Sequence, residues 1–189
     1  MAEVSVRVLG GEDWAVFRAM RLAALQEAPG AFAASYDEEA GYDEAFWRVR
    51  LARSARLLAT SAGPGVDLGP DEPGGAAGIG IVSVGQAAEP DVAELFGMWV
   101  VPSSRGAGVA WRLTQEATSH ARKAGRRALQ AWVATNNGRA VAFFSSYGFR
   151  PADQRRPTTI DPTVQEIAMV YPLADDRGWV LSPESRRDA

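Results

Sequence analysis

The chain has no cysteine among its 189 residues, which excludes disulfides, thiolate metal sites and a covalent thioester intermediate on the protein. It has one histidine, His120, so paired-histidine zinc motifs are ruled out and a serine triad would have to use that residue as its base. It has no basic excess either. With 20 Lys+Arg against 23 Asp+Glu the formal net charge is −3, so no phosphate backbone is matched and nucleic acid is not expected as a partner. No run approaches about 18 consecutive apolar residues, as a membrane span requires. The opening MAEVSVRVLG lacks the basic segment and apolar core of a secretory signal, and the expectation is a cytoplasmic protein with no membrane partner. Lysine is nearly absent: Lys123 stands alone, every other cation is arginine, and an arginine must therefore be judged by its position.

What is present is ordinary globular material, 47% hydrophobic and 23% charged, enough for one self-sufficient domain. Alternating Val4, Val6 and Val8 predict a strand that Gly10 and Gly11 end. Asp13 is placed to cap a helix carrying Phe17, Met20, Leu22 and Leu25, with Pro29-Gly30 as its stop. Asp43 caps a second, short helix with Phe46, Trp47, Val49 and Leu51, and residues 56–60 read as a strand. Residues 61–75, rich in glycine and proline, read as a long hairpin loop because apolar strands flank them. Strands follow at 78–84 and 92–101, the second dense enough in apolar residues to be central. A helix with Val109, Leu113, Ala117, Ala121 and Ala124 on one stripe ends at Gly125; then come a strand at 128–134, a helix at 139–147 closed by Gly148, and a last strand at 166–171. This order predicts an α/β domain with a mixed sheet over residues 1–172, followed by a polar C-terminal tail at 173–189.

The informative stretch is MWVVPSSRGAGVA, residues 98–110. Pro102 ends the strand, and Arg105-Gly106-Ala107-Gly108 bring small residues to the entrance of the next helix. The first N–H groups of a helix lack intrahelical partners and sit at the positive end of its dipole, so glycines there let a pyrophosphate approach closely. The P-loop is absent, since no Gly-Lys-Ser/Thr follows, and so is the three-glycine dinucleotide pattern.

Val100-x-Pro102-x-x-Arg105-Gly106-x-Gly108-x-Ala110 resembles the acyl-coenzyme A signature of the GNAT superfamily of N-acetyltransferases. Downstream, Asn137-x-x-Ala140-x-x-Phe143-Phe144-x-x-x-Gly148-Phe149 is similar to that family's second signature, in the right order and after a strand. The run from Arg21-Leu22 to Phe32 and Ser35 resembles a common opening of the family, so the likeness spans almost the whole chain.

The resemblance implies a single-domain GNAT fold, a mostly antiparallel sheet of about six to seven strands flanked by helices. It implies acetyl-CoA as co-substrate, no metal, and direct transfer of the acetyl group to a primary amine of a small molecule or peptide in a ternary complex, which suits a chain without cysteine. A homodimer is compatible with it. The pantetheine arm would pair along Met98, Trp99 and Val100 like an added strand. The pyrophosphate would lie on the backbone of Arg105, Gly106, Ala107, Gly108, Val109 and Ala110. Asn137 would hydrogen-bond the coenzyme, or cap the helix it precedes, or both, and Phe144 would line the coenzyme site.

An amine acceptor is mostly ammonium at neutral pH, with a pKa of roughly 8 to 10.4, so a base must take its proton. Glu94 is placed for this, on the same strand face as Phe96 and Met98 by alternation; the alternative is an exposed residue at a strand's start. The family pattern usually has a tyrosine at Phe144 to protonate the leaving thiolate. Tyr147 is three residues on and could substitute, or simply pack beside Gly148 and Phe149. Phe32, Tyr36, Phe46 and Trp47 could wall the acceptor pocket or belong to the core. A catalytically silent acyl-CoA-binding module or sensor is the competing reading, and Phe144 is the residue that favours it.

Overall fold

The computed structural model describes residues 3–70, 72 and 75–174; the tail at 175–189 lies outside the described residues. Seven strands form one sheet: β1 (Ser5–Val8), β2 (Ala55–Ser61), β3 (Ala77–Gln86), β4 (Val92–Val100), β5 (Ala128–Ala134), β6 (Arg150–Pro157) and β7 (Gln165–Pro172). Their spatial order is β1-β2-β3-β4-β5-β7-β6, and every pair is antiparallel except β4 with β5. That single parallel pair needs a crossover, and α4 (Val109–Lys123) supplies it.

One face of the sheet carries α4 and α5 (Gly138–Tyr147) over Leu57, Val82, Val84, Leu95, Leu129, Val133, Phe149 and Met169. Of the stripe expected on α4, Val109, Leu113, Ala117 and Ala121 are buried while Ala124 is the exposed C-cap, and Thr114 and Thr118 beside it return their hydroxyls to Ala110 O and Thr114 O. The other face carries α1 (Trp14–Glu27) and α3 (Glu44–Ala52), which bury Phe17, Met20, Trp47 and Leu51 against Leu58, Ile81 and Trp99. These helices cover only the β1 to β4 half. Among the described residues the same face of β5, β7 and β6 carries no helix.

Between α1 and α3 lies α2 (Tyr36–Ala40), capped by Ser35 and absent from the sequence reading. It carries Glu39, 2% exposed, whose carboxylate holds Arg21 at 2.8 Å and Arg50 at 2.8 Å. Burial alone would raise this carboxyl; the two guanidinium groups outweigh it and hold Glu39 below the usual carboxylate range.

Several expectations need correction. Asp13 occupies the N-cap position of α1 without capping it, because its carboxylate accepts from Arg7 Nη1 (3.0 Å) and Gly10 N–H (2.6 Å) instead. β6 was not foreseen: RPADQRRP has two prolines and no apolar alternation, which an edge strand tolerates because only β7 pairs with it. The 61–75 loop does join an antiparallel pair, β2 and β3. Leu173 is buried in the core, one residue beyond the expected domain boundary. Among the described residues no helix is long and apolar enough to cross a membrane.

Candidate active site

β4 and β5 pair at only three rungs, Val92 with Ala128, Ala93 with Leu129 and Glu94 with Gln130. Beyond them β4 runs on to Val100 and β5 to Ala134 with no pairing, so the middle of the sheet opens into a V. Each facing edge then presents backbone N–H and C=O groups that need partners. A cleft of about 1070 Å³ fills the V, lined by residues 94–100 of β4, residues 131–134 of β5, the turn into α4, the first turns of α5, and two loops, 28–32 after α1 and 158–164 between β6 and β7.

The arm of β4 is kinked inside this cleft. Ile81 faces Trp99 and Ser83 faces Phe96, so Val82 alone opposes both Gly97 and Met98, a β-bulge in which Gly97 takes φ +61°. The bulge reverses the alternation. Leu95 packs toward α4 and α5 while Trp99, four residues on, packs with α1 and α3. Glu94 and Phe96 consequently share the α1 side, whereas Met98 and Val100 pack on the α4 side, which corrects the expectation that Glu94, Phe96 and Met98 share one face.

At the cradle, Gly106 (φ +81°) and Gly108 (φ +83°) hold left-handed conformations that favour glycine, and a Cβ on either would point into open space. The first helical bond of α4 runs from Arg112 N–H to Gly108 O (3.0 Å), leaving the N–H groups of Val109, Ala110 and Trp111 ahead of it without intrahelical partners. All the expected cradle residues line the cleft except Ala107, whose N–H turns back to Ser104 O at 3.4 Å. Arg105 donates from Nη2 to Glu27 (2.7 Å) and from Nε to Val100 O (3.0 Å), so its guanidinium is engaged at the end of α1. The Trp99 ring is buried and donates from Nε1 to the same Glu27 carboxylate (3.0 Å). Asn137 lines the cleft and caps α5, its Oδ1 accepting from Ala140 N–H at 3.1 Å.

Glu94 stands on the last paired rung, at the apex of the V. Burial lifts its carboxyl above the usual carboxylate range; the Arg156 guanidinium, 4.0 Å away, opposes the lift and Glu166 adds to it. Phe144 lines the cleft, wedged between Phe143 and Phe149. Tyr147 is outside the lining: its ring stacks behind Trp111 at 4.7 Å and its hydroxyl is 3.3 Å from Thr118 Oγ1. Of the four aromatic residues considered for the acceptor wall, Phe32 alone lines the cleft; Trp47 is wholly buried, and Tyr36 and Phe46 face solvent elsewhere.

Residues 22–149 match the Acetyltransferase (GNAT) family. The chain belongs to that family. Among solved structures, a GNAT acetyltransferase from Streptococcus pneumoniae aligns over 91% of this chain and 100% of its own at 19% identity, with a TM-score of 0.67. A putative acetyltransferase from Salmonella typhimurium, solved with its cofactor acetyl-CoA, aligns over 97% and 99% at 16% identity and TM-score 0.64. At such identities the likeness bears on the fold of this GNAT chain. An uncharacterized N-acetyltransferase of Methanocaldococcus jannaschii is 37% identical over 59 residues, which are 31% of this chain and 26% of that protein, so the chain spans about a quarter of the curated relative it matches.

The sequence did not point to Phe96, Trp132, Arg156, Asp161 or Glu166, all of which line the cleft. Arg156 stacks on Trp132 (4.2 Å to the ring centroid) and bonds Glu166 at 2.8 Å. They come together through the pairing of β5, β7 and β6, which no local pattern announces. Among the described residues no group of three or more His, Cys, Asp or Glu side chains is arranged to hold a metal ion.

Proposed function

We propose that this chain is an acetyl-CoA-dependent N-acetyltransferase that passes the acetyl group directly to a primary amine in a ternary complex. The observation that carries the reading is the V between β4 and β5, which connects the α4/α5 face, where the cradle lies, with the opposite face, where Glu94, Trp132 and Glu166 lie. A coenzyme seated on the N–H groups at the start of α4 would run its arm along the unpaired edge of β4 like an added strand, delivering its thioester through the gap. The relative from Salmonella typhimurium, whose structure contains acetyl-CoA, supports this choice of coenzyme.

The amine nitrogen attacks the thioester carbonyl, and the proton it must shed goes to Glu94, directly or through a water. The tetrahedral intermediate collapses by breaking the C–S bond, and the electron pair leaves with sulfur. A thiol with a pKa of about 8.5 departs as thiolate near neutral pH, so Phe144 in the place of a tyrosine slows this step without stopping it. Phe144 is also the observation behind the second reading, a silent coenzyme-binding module. Thermal stabilisation by CoA tests the cradle, and thiol release from acetyl-CoA with a panel of amines tests the chemistry. Stabilisation without thiol release for any amine would favour the silent module; neither effect would overturn both readings.

A further inference from the structure

The acceptor end of the cleft is built for a cation. By strand register Gln130, Trp132 and Ala134 on β5, Ala168 and Glu166 on β7, and Arg156 on β6 share one face with Glu94. Two carboxylates of this end, Glu94 and Glu166, meet one guanidinium, Arg156, while Asp161 lines the cleft from the 158–164 loop with its carboxylate bonded to Thr163. Beside Glu94 on the last paired rung, Gln130 is 2% exposed and its Oε1 receives no donor. A buried oxygen of this kind asks for a hydrogen-bond donor. The remaining wall is apolar, from Phe32, Phe96, Ile160 and Val164.

Arg139 lines the cleft from the first turn of α5, on the coenzyme side, and three other cations nearby are already committed. Arg105 is tied to Glu27; Arg21, behind Phe32, is held by Glu39; and Arg56, behind Phe96, donates to Ser54 O and Arg50 O near the end of α3. Arg156, at the acceptor end, sits on an indole face, bonded to Glu166 at 2.8 Å and 4.0 Å from Glu94. A cation over tryptophan flanked by carboxylates is the arrangement that recognises an organic ammonium ion.

We infer that Arg156 occupies, in the free protein, the place of the acceptor's ammonium group, and that the acceptor is a primary amine on an apolar body with no acid group beside the nitrogen. This rests on the acetyl-transfer reading above and narrows it. A carboxylate next to the amine would meet Glu94 and Glu166, the two carboxylates beside the Arg156 position, at short range, where like charges repel strongly. An aromatic or branched apolar body fits between Phe32, Phe96 and Ile160.

The test is calorimetric titration of the CoA-loaded protein with 2-phenylethylamine, phenylalanine and phenylalaninamide, a series that adds a carboxylate and then neutralises it. 2-Phenylethylamine should bind about tenfold or more tighter than phenylalanine, with phenylalaninamide recovering most of the loss. Phenylalanine binding as tightly as the amine would overturn the inference. Arg156→Gln should tighten 2-phenylethylamine binding about threefold by removing the internal competitor, and Trp132→Leu should weaken it several-fold. Weaker binding in Arg156→Gln, or unchanged binding in Trp132→Leu, would also overturn it. Thiol release measured on the same compounds separates the two readings. The binding order without any transfer removes the catalytic reading and keeps this subsite, whereas preferential transfer to phenylalanine keeps the catalysis and removes the subsite.

Discussion

Replacing Glu94 by glutamine keeps the shape of the side chain at the apex of the V and removes its ability to accept a proton. The carboxyl is largely buried, with Arg156 the one cation beside it, at 4.0 Å. Positioned general bases contribute about 100- to 10,000-fold, or roughly 3 to 5 kcal/mol of barrier, so kcat should fall within that range while CoA affinity holds. The pH dependence follows from the direction of the shift. Burial raises the carboxyl's pKa in the folded protein, so Glu94 favours folding below its unfolded pKa, and that contribution is lost as pH rises through the folded value. At neutral pH the buried charge is a burden, and Glu94→Gln should keep or raise Tm. The base works only when deprotonated, so kcat/KM of the parent should fall in acid, with its inflection above the ordinary glutamate value of about 4.3. Arg156 is half exposed and holds the carboxyl down, so Arg156→Gln should move that inflection upward. Stopped or continuous thiol-release assays across pH 6 to 9 decide the matter. Equal turnover of folded Glu94→Gln and parent over that range would refute the assignment, and a water chain to solvent would take its place.

Gly108→Glu should cost about 1 to 3 kcal/mol of folding stability, because φ +83° strains a residue with a Cβ even though that Cβ meets open space, and the folded variant should lose CoA binding in calorimetry by putting an anion where the pyrophosphate belongs. Phe144→Tyr should raise or preserve thiol release, and Tyr147→Phe should change it little, since the Tyr147 hydroxyl is paired with Thr118 behind Trp111; a large loss in folded Tyr147→Phe would transfer the acid role to that residue. Glu39→Gln should cost about 3 kcal/mol in urea denaturation at pH 7 by stranding Arg21 and Arg50. Because those partners depress the Glu39 pKa, its contribution is present above the unfolded pKa and lost as pH falls through the folded one, so parent and variant should converge in acid.

The segment from β4 to the end of α5 was legible in the sequence because period and punctuation agree there. β5 alternates between two buried faces, α4 carries a four-residue stripe, and Gly125 and Gly148 stop their helices in left-handed conformations. The cradle was legible for the same reason, since it is a backbone feature written in glycines. The acceptor side was not. Alternation along β4 placed Glu94 with Met98, and a one-residue bulge undid it, its one mark in the sequence being Gly97 inside an otherwise apolar strand. Arg156, Glu166 and Trp132 lie on three strands, one of them a proline-bearing edge with no apolar rhythm, so their meeting depends on register across the sheet. Arg105 shows the converse: its motif position was legible, and its partner, Glu27, lies 78 residues away at the end of α1.

The opening between β4 and β5 has a further consequence. Sheets ordinarily keep unsatisfied strand edges at their rims, where charge, proline or a covering loop protects them. Here a pair of such edges lies at the centre, and on the acetyl-transfer reading the nucleotide thioester is the piece that completes the ladder. A ligand at a hundred times its Kd adds about 2.7 kcal/mol to folding stability, a large share of what holds a domain of this size together. The protein's resistance to unfolding and proteolysis would then track occupancy by the coenzyme, acetylated or free.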